Sequence, residues 1–150
     1  MTYEVTIDTV ERQLIAAARQ RTTFKRIAKE IQGLLLHSWA LIKERPALRN
    51  DGHNVAIYWD AAGQGSVEVG VQVVAQFEAT DTVICSATPA GRVARTAHFG
   101  PYHELGAAHD AVRQWCARNG LSTRMPFWEI YGDWSDDPRT LRTDVLYLVD

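Results

Sequence analysis

Gln13-Leu-Ile-Ala-Ala-Ala-Arg19 and, 79 positions later, Arg92-Val-Ala-Arg-Thr-Ala-His98 each open a series of elements that runs in the same order. After the first, Phe24, Ile27, Ile31, Leu34, Leu35, Ser38, Trp39 and Ile42 fall at three- and four-residue steps with charged residues between them, the pattern of an amphipathic helix. Pro46 ends it, and Asn50-Asp-Gly52 marks a loop. The strand Val55–Trp59, a turn at Gly63-Gln-Gly65 and the alternating run Val67–Val73 then predict a hairpin.

The second series follows suit. A short strand over Thr82–Ser86 and a turn at Thr88-Pro-Ala-Gly91 lead into the strand Arg92–Phe99. Pro101 suits the start of a helix, because its missing N–H would be unpaired there anyway. The helix turns Leu105, Ala108, Val112, Trp115 and Cys116 inward, and Asn119-Gly120 stops it. Strands Phe127–Tyr131 and Thr143–Val149 close the chain. Trp39 lies 76 positions before Trp115, Tyr58 lies 73 before Tyr131, and Val69 lies 76 before Val145. Repeated order at a nearly constant offset predicts a tandem duplication, about 1–76 and 80–150, within one domain over residues 1–150. The expected fold is α+β: two strand–helix–strand–strand units, a mostly antiparallel sheet, two main helices and a cleft between the halves. Residues Tyr3–Ile7 add a bent or paired strand in front of Gln13.

Composition narrows the function. The chain has 150 residues, 46% of them hydrophobic, enough for one core. Its net charge of -2, with Lys and Arg spread along the chain, gives no footprint for nucleic acid or an anionic membrane. No apolar run approaches the roughly 20 residues of a membrane span, and the start of the chain lacks a signal-peptide hydrophobic region, so a cytoplasmic location is expected. Cys85 and Cys116 have no redox or metal spacing and read as small core residues. His98, His103 and His109 lack the i, i+4 spacing of a helical zinc site, so neither a metal nor a cofactor is expected. His98 reads first as a solvent-facing strand residue, with a hydrogen-bonding role on the strand leading to the pocket mouth as the alternative. Gly63-Gln-Gly65 has no following helix, which leaves nucleotide chemistry without support.

One residue breaks the apolar pattern. In Met125-Pro-Phe-Trp-Glu-Ile-Tyr-Gly-Asp-Trp134, Glu129 stands inside a buried-looking strand. A dehydrated carboxylate needs a partner, a ligand or a proton. Alternation puts Phe127, Glu129 and Tyr131 on one face and Trp128 and Ile130 on the other. With Trp128 and Ile130 packed under the helices, the Phe-Glu-Tyr face would look into the cleft, joined by Tyr58 from the first half. Rings and an acid suit a flat hydrophobic cation, through stacking and cation–π attraction of about 0.5 to 2 kcal/mol per ring. The same carboxylate could activate water as a general base. A structural pairing of Glu129 with Arg92, Arg95 or Arg124, or exposure on an edge strand, stands beside both readings. Trp39 and Trp115 read first as core, and Trp134 as a lid or an edge cap.

The run Thr88–Tyr102, its helix and Phe127-Trp-Glu-Ile-Tyr131 together resemble the GyrI-like small-molecule-binding domain, the effector-binding module of bacterial multidrug-responsive transcription activators. The resemblance implies an aromatic pocket between paired units, with a glutamate that meets cationic lipophilic drugs. Glu129 matches that glutamate and Tyr102 the tyrosine after Gly-Pro, while Tyr131, Tyr58, Trp39 and Tyr147 match pocket-lining regions, with Phe127 beside them. It covers the whole sequence with no helix-turn-helix segment, so direct DNA binding is not expected of this chain. Among relatives it also implies hydrolysis of electrophilic cyclopropane-bearing natural products, with the glutamate activating water, or a protein-interaction role toward DNA gyrase or a transcription regulator. Ligand identity and oligomeric state are not specified by these motifs.

Overall fold

The computed structural model describes residues 2–22, 24–48, 51–59 and 65–150. The chain runs β1 (Thr6–Val10), β2 (Gln13–Thr22), α1 (Phe24–Glu44), β3 (Asn54–Tyr58), β4 (Gly65–Gln72), β5 (Ile84–Thr88), β6 (Gly91–Phe99), α2 (Leu105–Arg118), β7 (Thr123–Tyr131) and β8 (Arg142–Val149), with short 3-10 turns at Pro46–Leu48, Tyr102–Glu104 and Pro138–Thr140. The strands form one antiparallel sheet in the order β1-β6-β8-β7-β3-β4-β2-β5. The predicted turn at Gly63-Gln-Gly65 falls largely outside the described residues, but the hairpin it joins is present as β3–β4.

The order reads the same from either end once β1 to β4 are exchanged for β5 to β8, so a pseudo-twofold axis passes between β3 and β7. The units β2-α1-β3-β4 and β6-α2-β7-β8 are its two halves. Their leading strands are swapped: β1 pairs with β6 of the second half, and β5 with β2 of the first. The opening strand is therefore paired, but it starts at Thr6 and not at Tyr3, and its partner lies 81 to 89 residues away. β5 sits two residues later than Thr82–Ser86, because its register against β2 runs from Ile84 to Thr88.

Both faces of the sheet are buried, for different reasons. Ala56, Tyr58, Val67, Val69, Phe127, Val145 and Tyr147 pack with Ile27 and Leu34 of α1 and Leu105, Ala108, Val112 and Cys116 of α2. On the opposite face Ile15, Val55, Ile57, Val93, Trp128, Leu146 and Leu148 pack on one another, and none of these residues comes from a helix. Val10 of β1 and Ile84 of β5, from opposite ends of the strand order, reach that same cluster. The sheet must curl around it, which is how a face without a helix excludes water. The expectation that Trp128 and Ile130 lie under the helices is thus reversed: Phe127, Glu129 and Tyr131 face them instead.

Helix α2 ends where the sequence stops it. Gly120 takes φ 67°, the left-handed conformation that favours glycine, and Leu121 N–H returns to the Cys116 carbonyl at 2.9 Å. Gly70 in β4 answers to a different constraint. A Cβ there would lie 1.9 Å from the Ala16 carbonyl oxygen and 2.7 Å from Ala17 Cα, both backbone atoms of β2. Relief would require separating two paired strands. Gly70→Ala is expected to cost about 3 kcal/mol, the upper range for overpacking, read as a fall in the urea midpoint. An unchanged midpoint would mean that β2 and β4 do not approach so closely.

Candidate functional site

The β3–β7 register sets Ala56 directly opposite Glu129 and Tyr58 opposite Phe127. Ala56 and Glu129 are 73 positions apart, the same separation as Tyr58 and Tyr131, so they occupy equivalent positions and face each other at the pseudo-twofold axis. Two acids there would repel in a buried setting. The small alanine leaves the axis to one carboxylate.

That carboxylate is well supplied with donors. Glu129 is 3% exposed. Tyr58 and Tyr131, the equivalent tyrosines of the two halves, donate their hydroxyls to its Oε1 at 3.3 and 2.5 Å. The shorter distance is that of a charge-assisted O–H···O bond. Oε2 lies 2.7 Å from Nε2 of His109, an α2 residue 1% exposed. Nδ1 of the same ring is 2.7 Å from the Tyr147 hydroxyl, which accepts from Arg113 at 3.1 Å. Arginine only donates, so the Tyr147 oxygen accepts there, and its own O–H suits Nδ1 in the tautomer that carries Nε2–H toward the carboxylate. Arg113 reaches Asp110 at 2.6 Å on the exposed side of α2. The chain of bonds runs from the axis to the surface.

Rings enclose the acid. Tyr58, Phe127 and Tyr147 stand abreast on β3, β7 and β8, as the register Tyr58–Phe127–Tyr147 requires. Centroids are 4.8 Å apart at both contacts, with interplanar angles of 13° and 16°. His109 meets Phe127 and Tyr147 edge-on at 5.3 and 5.6 Å. Burial, followed by the Glu129 charge, pushes the Tyr58 and Tyr131 phenols well above their ordinary range. Burial does the same to Tyr147, against the opposing pull of Arg113. All three remain proton donors across the neutral range.

The residues expected from sequence are distributed as follows. Glu129, Tyr58, Phe127, Tyr131 and Tyr147 converge directly. Tyr102 lies at the rim, 40% exposed and edge-on to Tyr131 at 5.7 Å. Trp39 is half-buried on α1 and donates its ring N–H to Asn54 at 3.0 Å. Asn54 shares the Ala56 face and pairs in register with Tyr131, so Trp39 marks the far end of this face rather than the carboxylate. Trp134 is exposed. Arg92, Arg95 and Arg124 pair elsewhere: Arg92 with the Asp150 carbonyl, Arg95 with Asp8 and Asp144, Arg124 with Asp150.

The solvent-facing reading of His98 is overturned, and the hydrogen-bonding alternative fits instead. The side chain is fully buried, with Nδ1 2.8 Å from the Tyr3 hydroxyl and Nε2 3.1 Å from the Pro101 carbonyl. His109 is a partner that the sequence does not give directly, because the spacing of His98, His103 and His109 speaks only to a metal set. A signal was present: Leu105, His109, Val112 and Cys116 form one inward stripe at helical spacing, so the imidazole had to point at the sheet. Glu68 was missed as well. It is fully buried on the helix-free face, paired with Arg19 and hydrogen-bonded by Ser86.

Glu129, His109, Tyr58, Phe127 and Tyr147 are all buried, which closes the carboxylate off from solvent. A cavity of about 410 Å³ opens elsewhere, toward the β1 edge between Glu4, Thr6, Arg95, Phe99, Arg142 and Asp144. Cys116 is buried and its thiol pushed up by desolvation, which suits a core residue. Among the described residues no helix is long and apolar enough to cross a membrane.

Solved structures share the fold. The crystal structure of the EcmrR C-terminal domain superposes with a TM-score of 0.84 at 21% identity, covering 100% of this chain and 99% of that one. In an EcmrR–DNA complex the match spans 57% of the EcmrR chain, so that protein carries a further part. SAV2435 bound to tetraphenylphosphonium superposes with a TM-score of 0.72 at 11% identity, covering 100% and 94%. A hydrolase from Listeria innocua gives 0.63 at 13% identity, covering 98% and 92%. No curated protein matches the sequence significantly. The model of the GyrI-like small molecule binding domain matches residues 3–149, and the chain belongs to that family.

Proposed function

We propose that this chain binds hydrophobic aromatic cations in the cytoplasm, with Glu129 as counter-ion and Tyr58, Phe127, Tyr131 and Tyr147 as the stacking surface, Tyr102 and Trp39 flanking it. The observation that carries this reading is the buried carboxylate on the pseudo-twofold axis, held beside a stack of three rings. A buried charge is costly, and three polar partners offset the cost without cancelling the charge. A poorly hydrated cation gains from such a group what it would lose to water at an exposed one. That SAV2435, a protein of the same fold, is bound to tetraphenylphosphonium supports the choice of ligand class.

Titration of the protein's tryptophan and tyrosine fluorescence with tetraphenylphosphonium tests the reading. Saturable quenching in the micromolar range, corresponding to about 8 kcal/mol, is the expected result. A flat titration would sink it and direct attention to a protein partner, a gyrase or a regulator.

A second reading has one observation in its favour. The Glu129–His109 contact at 2.7 Å is an arrangement in which the carboxylate could take a proton from water and the imidazole relay it. Chromatography of the mixtures with electrophilic cyclopropane compounds distinguishes the two. Intact ligand supports binding alone, and ring-opened product makes the chain a hydrolase.

A further inference from the structure

We propose that His109 is the latch of this site, occupying in the closed protein the place that the positive end of a ligand takes when bound. The inference rests on the reading of Glu129 as the ligand's anchor. Oε1 already receives two phenols from the sheet, and these can stay in place when a ligand arrives. Oε2 receives Nε2 of His109 at 2.7 Å, from a helix. A cation that contacts this oxygen must move the imidazole aside.

The same ring also blocks the stacking surface. It stands edge-on against both Phe127 and Tyr147, 5.3 and 5.6 Å between centroids, where a ligand's ring would lie against the stack. One side chain therefore closes the charged and the aromatic parts of the site together. Its other nitrogen ties it through Tyr147 to Arg113, and Arg113 to Asp110, so the latch is held from the surface of α2.

A latch of this kind selects by charge. Displacing His109 strips a buried carboxylate of a hydrogen bond, and a cation replaces that bond with its own charge. A neutral aromatic compound leaves the carboxylate short of a partner and is rejected, which is specificity by the cost imposed on the wrong ligand.

The test compares wild type, His109→Ala and His109→Gln by titration with tetraphenylphosphonium at one neutral pH. His109→Ala is expected to bind about tenfold tighter, since no donor has to be displaced. His109→Gln, whose amide still donates to Oε2, is expected to stay within about threefold of wild type. Added imidazole should compete with tetraphenylphosphonium in His109→Ala and leave wild type unaffected, a result that a merely structural histidine would not give. Equal or weaker binding by His109→Ala, or no competition by imidazole, overturns the latch while leaving the proposed ligand class standing. Absence of binding by all three proteins overturns the reading of the site itself. Should His109→Ala fail to fold by circular dichroism, the histidine ¹⁵N spectrum of wild type decides. The resonance missing from His109→Gln must move when tetraphenylphosphonium saturates the protein, and a stationary resonance overturns the latch.

Discussion

Glu129→Gln is expected to lower the affinity for tetraphenylphosphonium by at least about 100-fold, roughly 2.8 kcal/mol, while leaving the fold intact. Glutamine has the volume of glutamate and keeps an oxygen for Tyr58 and Tyr131, while its amide nitrogen faces His109, which accepts that N–H once its own proton moves to Nδ1 beside the Tyr147 oxygen. What it removes is the charge. A unit charge about 4 Å from a cation is worth about 4 kcal/mol at the effective dielectric of a partly wet site, and the predicted loss is the greater part of that. A neutral aromatic ligand of similar size should lose nothing by the change, since no charge is left short of a partner. Glu129→Ala should behave differently, because it strands two phenols and an imidazole in a buried space. Its cost to stability is expected at about 3 kcal/mol or more, read by urea unfolding. Undiminished cation binding by the glutamine variant would mean that the rings alone hold the ligand and that the carboxylate is structural.

The residues around this site were legible in the sequence to different degrees. Strand parity alone places Phe127, Glu129 and Tyr131 on one face, and the repeat offset brings Tyr58 to join them, because period 2 and a duplication are both local signals. Which face lies under the helices is not local. Both faces of β7 are apolar, and the second is buried by the curl of the sheet rather than by an element written in the sequence. For the same reason Glu68, placed by alternation on the face without helices, looks exposed and is in fact buried, paired with the exposed side chain of Arg19. The exchange of β1 and β5 between the halves escapes notice because neither strand differs in composition from one paired with its own unit. His109 was hidden by the question put to it: a histidine on an apolar helix stripe asks for a buried acid before it asks for a metal.

Alkaline pH is expected to unfold the protein in one cooperative step, with Tyr58, Tyr131 and Tyr147 ionising only as the fold is lost. All five tyrosines are held above their ordinary range, chiefly by burial. Tyr58 and Tyr131 are raised further by the charge of Glu129, and neither can ionise without placing a second negative charge beside it. Below about pH 10 both the folded and the unfolded chain keep these protons, so the tyrosine network contributes in full. Above it the unfolded chain releases them and the folded one does not. Each tyrosine so held lowers stability by about 1.4 kcal/mol per pH unit, and the three around Glu129 together by about 4. Against a typical stability of about 5 to 15 kcal/mol, the transition should come within roughly one to four units above pH 10. Tyrosinate absorbance and the loss of far-ultraviolet circular dichroism should then trace one curve. Ionisation of Tyr58, Tyr131 and Tyr147 near pH 10 with the dichroism intact would show that water reaches the carboxylate, and a site open to water would need no latch.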